Sequence, residues 1–266
     1  MAMTLQTFST ADAAGAALAA DDASRYIGGG TLVVRQANEG DVSFSTYVRA
    51  TDPALSAITV EDGRATLGAS VTMGRIIADG RLAGLAEAAR SVGGPAIRNV
   101  ATVGGNLYAP APYGDLAVAL LALDATIEVG GGPIPLSAFL ADRHGTYAHT
   151  VLKSVGFALP SAGSLRFLKV SRVKPKGISV VTIAALLEEK DGTITSARVA
   201  YGCMADRPIR AQAVEAALIG KPRTADGIRD ALAVATDGTS PITDAVASAW
   251  YRSQVLPVHL GRLLLA

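Results

Sequence analysis

Adjacent glycines punctuate this chain and limit what it can become. They stand at Gly28-Gly29-Gly30, Gly93-Gly94, Gly104-Gly105 and Gly130-Gly131-Gly132, among 28 glycines in 266 residues. Runs of glycine weaken helix and strand interiors, so each cluster marks either a hairpin turn or a loop whose backbone approaches a ligand. The elements between them must be short. The longest uninterrupted apolar run, Leu116 to Leu123, stops at Asp124, well below the roughly 20 residues of a membrane-spanning helix. No membrane span is expected.

Composition removes several function classes. Half of the residues are hydrophobic and 18% are charged, which excludes disorder and permits a sizeable core. Lys and Arg number 24 against 23 Asp and Glu, a formal charge of +1, with no basic block. A nucleic-acid surface or polybasic membrane patch is therefore not expected. The single cysteine, Cys203, excludes a disulfide framework, a cysteine-based zinc site and a cysteine-ligated iron–sulfur cluster within this chain. It reads as an inert buried thiol. His144, His149 and His259 are too scattered for a metal site, while Asp21-Asp22 and Glu188-Glu189 read as solvated turn residues. No nucleophile–base pair stands out, so no catalytic side chain is assigned. The first residues lack a basic stretch followed by an apolar one, and a cytoplasmic location is expected.

Periodicity divides the chain into three blocks. In the first, Ser9 to Ala20 reads as a capped helix, Tyr26-Ile27 as a short strand entering the glycine triplet, and Val42 to Val48 as an alternating strand. The second opens with a hairpin around Asp62-Gly63 and continues as a helical pattern from Ile76 to Ala89. A glycine- and proline-rich stretch, a helix from Asp115 to Asp124, and strands at 125–129 and 151–159 follow. In the third, strands at 166–172, 180–187 and 193–200 precede helices near 209–219, 227–235 and 243–265. Strands followed by helices indicate an α+β unit.

Two glycine loops carry chemical meaning. Tyr26-Ile27-Gly28-Gly29-Gly30-Thr31 ends a strand in residues without side chains, and consecutive N–H groups there form either a plain turn or an anion-binding nest. It has neither the GxGxxG spacing nor the Lys-Ser/Thr of a P-loop. Ala101-Thr102-Val103-Gly104-Gly105-Asn106 sets hydrogen-bonding side chains on either side of two glycine amides, and Asp115 follows with a carboxylate able to accept from ribose hydroxyls. The alternative is a loop ending in a helix cap. Two such loops in one chain favour a dinucleotide, whose pyrophosphate needs several amides at once.

The run Ile97-Arg98-Asn99-Val100-Ala101-Thr102-Val103-Gly104-Gly105-Asn106-Leu107, followed by Pro112, Asp115 and Leu120 to Ala125, resembles the FAD-binding subunit of molybdenum hydroxylases. That is the xanthine dehydrogenase and carbon monoxide dehydrogenase family. The GGGT loop, Phe167-Leu168-Lys169, Arg172, Tyr201-Gly202, Pro208 to Ala211 and Trp250-Tyr251-Arg252 keep the family's order, so the likeness covers nearly the whole chain.

The resemblance implies an α+β chain with a PCMH-type (vanillyl-alcohol-oxidase-type) FAD-binding fold. Two α/β subdomains, 1–53 and 54–160, would be followed by a C-terminal α+β domain, 161–266, of three antiparallel strands and helices. Ile27, Gly28, Gly29, Gly30, Thr31 and Leu32 would wrap the FAD pyrophosphate together with Thr102, Val103, Gly104, Gly105 and Asn106. Asp115 would face the ribose and adenosine side. Val92 stands where some relatives place an aromatic near adenine, Leu152 would touch the flavin through its backbone, and Lys169 would lie near the flavin ring. On the residues alone, a solvated strand lysine is the favoured reading of Lys169.

Partners follow from the same likeness. A large molybdopterin-binding subunit and a small subunit with two [2Fe–2S] clusters would complete a heterotrimer, single or doubled, in which electrons pass from clusters to flavin to an external acceptor. The organic substrate belongs to another chain and is not legible here. Two departures stand out: Leu32-Val33-Val34-Arg35 follows Thr31 where many relatives have Asp or Ser and then Leu-Leu-Pro, and Arg172-Val173 followed by Lys174-Pro175-Lys176 replaces an Arg-Arg pair. The other readings are a stand-alone flavin oxidase of the same fold and an assembly subunit without flavin.

Overall fold

The computed structural model describes residues 3–173 and 177–266; Lys174-Pro175-Lys176 lies outside them. The first unit is β1 (Thr4–Phe8), α1 (Ala11–Ala19), β2 (Ser24–Tyr26), α2 (Val33–Asn38) and β3 (Thr46–Ala50). Its strands are parallel in the order β1-β3-β2. Thr10 caps α1 by accepting from the Ala13 amide, and Ala11, Ala14 and Leu18 turn inward. The strand expected at 42–48 is displaced to Thr46–Ala50. Pairing with β1 and β2 begins only at Thr46, and Val42 is 83% exposed. Strand β1 has no alternating burial and helix α2 no buried residue, so neither carries a periodic signal.

The second unit contains β4 (Ile58–Glu61), β5 (Arg64–Gly68), α3 (Met73–Ala78), α4 (Ala83–Ser91), α5 (Pro95–Arg98), α6 (Val103–Tyr108), α7 (Asp115–Ala122), β6 (Thr126–Val129), β7 (Gly132–Pro135), α8 (Leu136–Asp142) and β8 (Leu152–Ala158). Five antiparallel strands stand in the order β4-β5-β8-β6-β7. The expected hairpin turns at Asp62-Gly63, where both residues have positive φ. The helical pattern from 76 to 89 is two helices, not one, because the Asp79 carboxylate accepts from the Arg81 amide and starts a new turn. Gly130 to Gly132 is the hairpin between β6 and β7.

The third unit is β9 (Leu165–Ser171), β10 (Ser179–Lys190), β11 (Thr193–Gly202), β12 (Ile209–Arg210), α9 (Gln212–Leu218), α10 (Arg229–Ala233) and α11 (Ala249–Leu265). Its antiparallel sheet runs β12-β11-β10-β9, so a short fourth strand joins the three expected. Glu188 and Glu189 are exposed in strand β10 rather than in a turn, and Glu189 pairs with Arg223. Helix α11 starts at Ala249, not near 243, because Asp244 folds the preceding backbone by accepting from the Val246 and Ala247 amides. Ser248 then caps the helix.

Every residue of α7 is buried, as a helix that is apolar on all sides after its first residue must be. It lies between the second and third units. A β-carbon on Gly202 of β11 would stand 2.9 Å from Val118, which is how closely the sheet approaches the helix. Strand β10 is buried on both faces: Ala184 and Leu186 join the core shared by the first two units, whereas Ile183, Ala185 and Leu187 join the C-terminal one. The interface between the units is thus part of the cores, and groups from all three meet around the start of α7.

Candidate functional site

The Ile27 amide still donates to Val48 at 2.9 Å, and beyond it the chain leaves the sheet. None of the N–H groups of Gly28, Gly29, Gly30, Thr31 and Leu32 has an acceptor among the described residues. Their neighbours do: the Gly30 carbonyl takes the Val34 amide and the Leu32 carbonyl takes the Gln36 amide. Gly30 has φ +73°, a conformation that favours glycine. Carbonyls therefore turn into α2 while consecutive amides remain available, the arrangement that receives an anion. Helix α2, opened by Leu32, is tied to the loop before Asp115 by Arg35, which donates to the Tyr113 hydroxyl at 3.0 Å and pairs with Glu39.

The second glycine motif is built differently. Thr102 is the cap of α6, accepting from the Gly105 amide at 3.1 Å. The Val103 amide donates to Val71, Gly104 to Ala69 at 2.8 Å and Asn106 to Thr102. The reading of two bare amides at Gly104 and Gly105 is therefore corrected, because Ala69 and the Thr102 cap engage both. Gly104 lacks a side chain because its β-carbon would meet Ala69 at 3.1 Å. The Asn106 side-chain oxygen accepts from the Ala117 amide, fixing α6 to α7. The Thr102 hydroxyl proton has no acceptor among the described residues and remains a donor.

The two motifs touch. A β-carbon on Gly28 would lie 2.8 Å from the Thr102 hydroxyl oxygen, and one on Gly29 would lie 1.8 Å from the Val100 carbonyl oxygen. Glycine in the first loop is thus a condition for seating it on the second.

Asp115 is the first residue of α7, behind Gly114, whose φ of +94° makes the turn into the helix. It is only 7% exposed. Its Oδ1 accepts from the Ser179 hydroxyl at 2.6 Å and the Thr182 hydroxyl at 2.8 Å, and its Oδ2 pairs with Lys169 Nζ at 2.8 Å. Lys169 also donates to the Ser91 carbonyl at 2.9 Å. Its side chain is 14% exposed, which excludes the solvated-lysine reading. A carboxylate has about four acceptor positions, so the three donors among the described residues leave one on Asp115.

Val92 follows Ser91 and is half-buried against the larger core, so the Lys169 bond brings this position to the Asp115 cluster. Leu152 is buried at the start of β8 opposite Val129. Its neighbour Lys153 accepts the Ala69 amide, and Ala69 accepts that of Gly104, which links this strand to the second motif.

Ser91, Ser179, Thr182 and Arg252 join this cluster without having been singled out as binding residues. Ser179 and Thr182 are separated by an odd number of positions, which in a regular strand places them on opposite faces. A register shift between Ser179 and Val181 aligns them. Cys203 completes the surroundings, with its sulfur 3.5 Å from the Ser179 carbonyl and 3.6 Å from that of Pro112; burial pushes its thiol up to about 12. His144 accepts from Arg143, and the described residues hold no group of three His, Cys, Asp or Glu able to bind a metal. No helix among them is long and apolar enough to cross a membrane.

Residues 2–157 match the FAD-binding domain of molybdopterin dehydrogenase, and residues 166–266 match the C-terminal domain of the CO dehydrogenase flavoprotein. The chain is 32% identical over 213 residues to the putative xanthine dehydrogenase FAD-binding subunit of Escherichia coli K12, covering 74% of this chain and 73% of that protein. With the nicotinate dehydrogenase FAD-subunit of Eubacterium barkeri it shares 28% over 215 residues, 75% and 73% of the two chains. A glyceraldehyde dehydrogenase medium chain from Sulfolobus acidocaldarius is 27% identical over 177 residues, 65% of this chain and 63% of that one. In fold, it superposes on a chain of carbon monoxide dehydrogenase from Hydrogenophaga pseudoflava with a TM-score of 0.92 at 22% identity, covering 99% and 96% of the two chains.

Proposed function

The chain belongs to the FAD-binding family of molybdopterin dehydrogenases, as its medium subunit, and from that premise we propose that it relays electrons from [2Fe–2S] clusters of a partner subunit to an external acceptor. It is an oxidoreductase subunit with FAD as its cofactor. Hydroxylation of the organic substrate takes place on a large molybdopterin-binding partner. With one cysteine, this chain cannot ligate the clusters itself, so a small iron–sulfur subunit supplies them and the working unit is a heterotrimer, single or doubled.

The observation that carries the reading is the row of unengaged amides from Gly28 to Leu32, seated on Val100–Thr102. Five N–H donors without acceptors among the described residues suit a diphosphate, and side-chain-free glycines let it reach them. The Thr102 hydroxyl adds a donor from the opposing motif. Residues 103–106 hold Thr102 at the head of α6 and tie that helix to α7. Asp115 offers its remaining acceptor position to a ribose hydroxyl, and Lys169 orients that carboxylate by pairing with it. Val92 and Leu152 line the site through their neighbours Ser91 and Lys153. When bound, FAD supplies a carrier that accepts electrons singly and delivers them in pairs. Segments 1–53 and 54–160 hold the dinucleotide and 161–266 closes it from the Lys169 side.

The test is purification of the tagged chain from its native cells, followed by flavin absorbance and molybdenum and iron analysis. One FAD per chain, together with molybdenum and iron from co-purifying subunits, supports the relay. A colourless chain that refuses added FAD overturns it, as does an isolated chain that oxidises a small substrate unaided.

A further inference from the structure

A buried guanidinium stands behind the Asp115 cluster. Arg252, on α11, is fully buried. Its Nη1 donates to the carbonyls of Ser179, at 3.2 Å, and of Val180, and its Nη2 donates to Asp244 Oδ1 at 2.8 Å. Its Nε and the second Asp244 oxygen have no partner among the described residues. The two-pronged contact that arginine can form with a carboxylate is thus half made, and the other prong is directed at the start of β10. A buried charge is costly to desolvate, and an apolar side chain of similar volume is often no worse for stability. An apolar side chain cannot, however, hold two consecutive carbonyls.

Those carbonyls lie where β10 shifts register, the irregularity that brings the Ser179 and Thr182 hydroxyls to one side. Both hydroxyls reach Asp115 Oδ1, whose other oxygen holds Lys169, which in turn holds the Ser91 carbonyl beside Val92. One guanidinium thereby sets the strand that orients the carboxylate.

We propose that Arg252 is a positioning residue for the FAD site: by gripping the Ser179 and Val180 carbonyls it places the Ser179 hydroxyl on Asp115 and fixes the direction of that carboxylate. This rests on the reading above that Asp115 belongs to the FAD site.

The experiment is FAD titration of the full-length chain by flavin fluorescence, with thermal denaturation run in parallel. Arg252→Gln is expected to weaken FAD binding about tenfold, the scale of one hydrogen bond to a charged group. Arg252→Lys, which keeps a cationic donor for the carbonyls, recovers most of the affinity. In a Ser179→Ala background Arg252→Gln costs at most about twofold more, because the link is already cut. Unchanged Kd with a lowered melting temperature, or the same loss in both backgrounds, overturns the proposal. If Arg252→Gln does not fold, Ser179→Ala alone decides: it leaves the guanidinium contacts in place, weakened binding supports the proposal and wild-type affinity overturns it. Asp115→Asn with wild-type affinity removes the site reading itself, whereas an impaired Asp115→Asn beside a neutral Arg252→Gln overturns only the role of Arg252.

Discussion

Gly29 lies so close to Val100 that a β-carbon on the glycine would stand 1.8 Å from the carbonyl oxygen. No L-residue with a side chain fits there without separating the two loops, because the obstructing atom is backbone. Gly29→Ala is expected to lower the melting temperature, with an overpacking cost of about 1–3 kcal/mol, and to release FAD. Gly131→Ala is the control, since its β-carbon meets nothing within 4 Å. Flavin content per purified chain and a thermal melt check both.

Gly104→Val acts through the second motif. The added side chain is forced against Ala69, 3.1 Å from the first atom placed there, and pushes α6 and its Thr102 cap away from β5. Reduced flavin occupancy with a modest loss of stability is expected. Unchanged occupancy would remove the second motif from the site.

Lys169 and Asp115 form a mostly buried pair, so removing one partner strands the other. Lys169→Met is expected to destabilise by about 3 kcal/mol, the lower end for breaking a buried ion pair. Adding Asp115→Leu recovers part of that loss, because the uncompensated carboxylate goes with it. Urea denaturation measures the stability cycle, and both variants are expected to hold FAD poorly.

Cys203 gives a pH signature. Burial pushes its thiol from 9.0 up to about 12 in the folded protein. Between those values the unfolded chain releases a proton that the folded chain retains, so the unfolded state gains and stability declines as pH rises through this window. Compared with Cys203→Ala, the wild-type chain is expected to lose stability more steeply above pH 9.0. The native thiol is also expected to resist an aromatic disulfide reagent at neutral pH and to react once the chain is unfolded.

The hairpin at Asp62-Gly63, the capped first helix, the apolar helix after Asp115 and the three long strands of the third unit were legible from residue order. Each depends on a turn, a cap or a period that a few neighbouring residues specify. The glycine motifs were legible as well, the triplet after a strand as either a plain turn or an anion-binding nest. Strand β1 and helix α2 were not, because neither buries a regular face.

Local chemistry along the chain was enough to announce the three blocks and the two glycine motifs. It left open which motif keeps its amides: helix capping and pairing with Ala69 and Val71 use them at the second, and none of the described residues does at the first. The surroundings of Asp115 depend on Ser179, 64 residues away, and on a register shift that aligns two hydroxyls. A hydroxyl or a guanidinium looks the same in any sequence, and its role depends on which distant group folding sets opposite it.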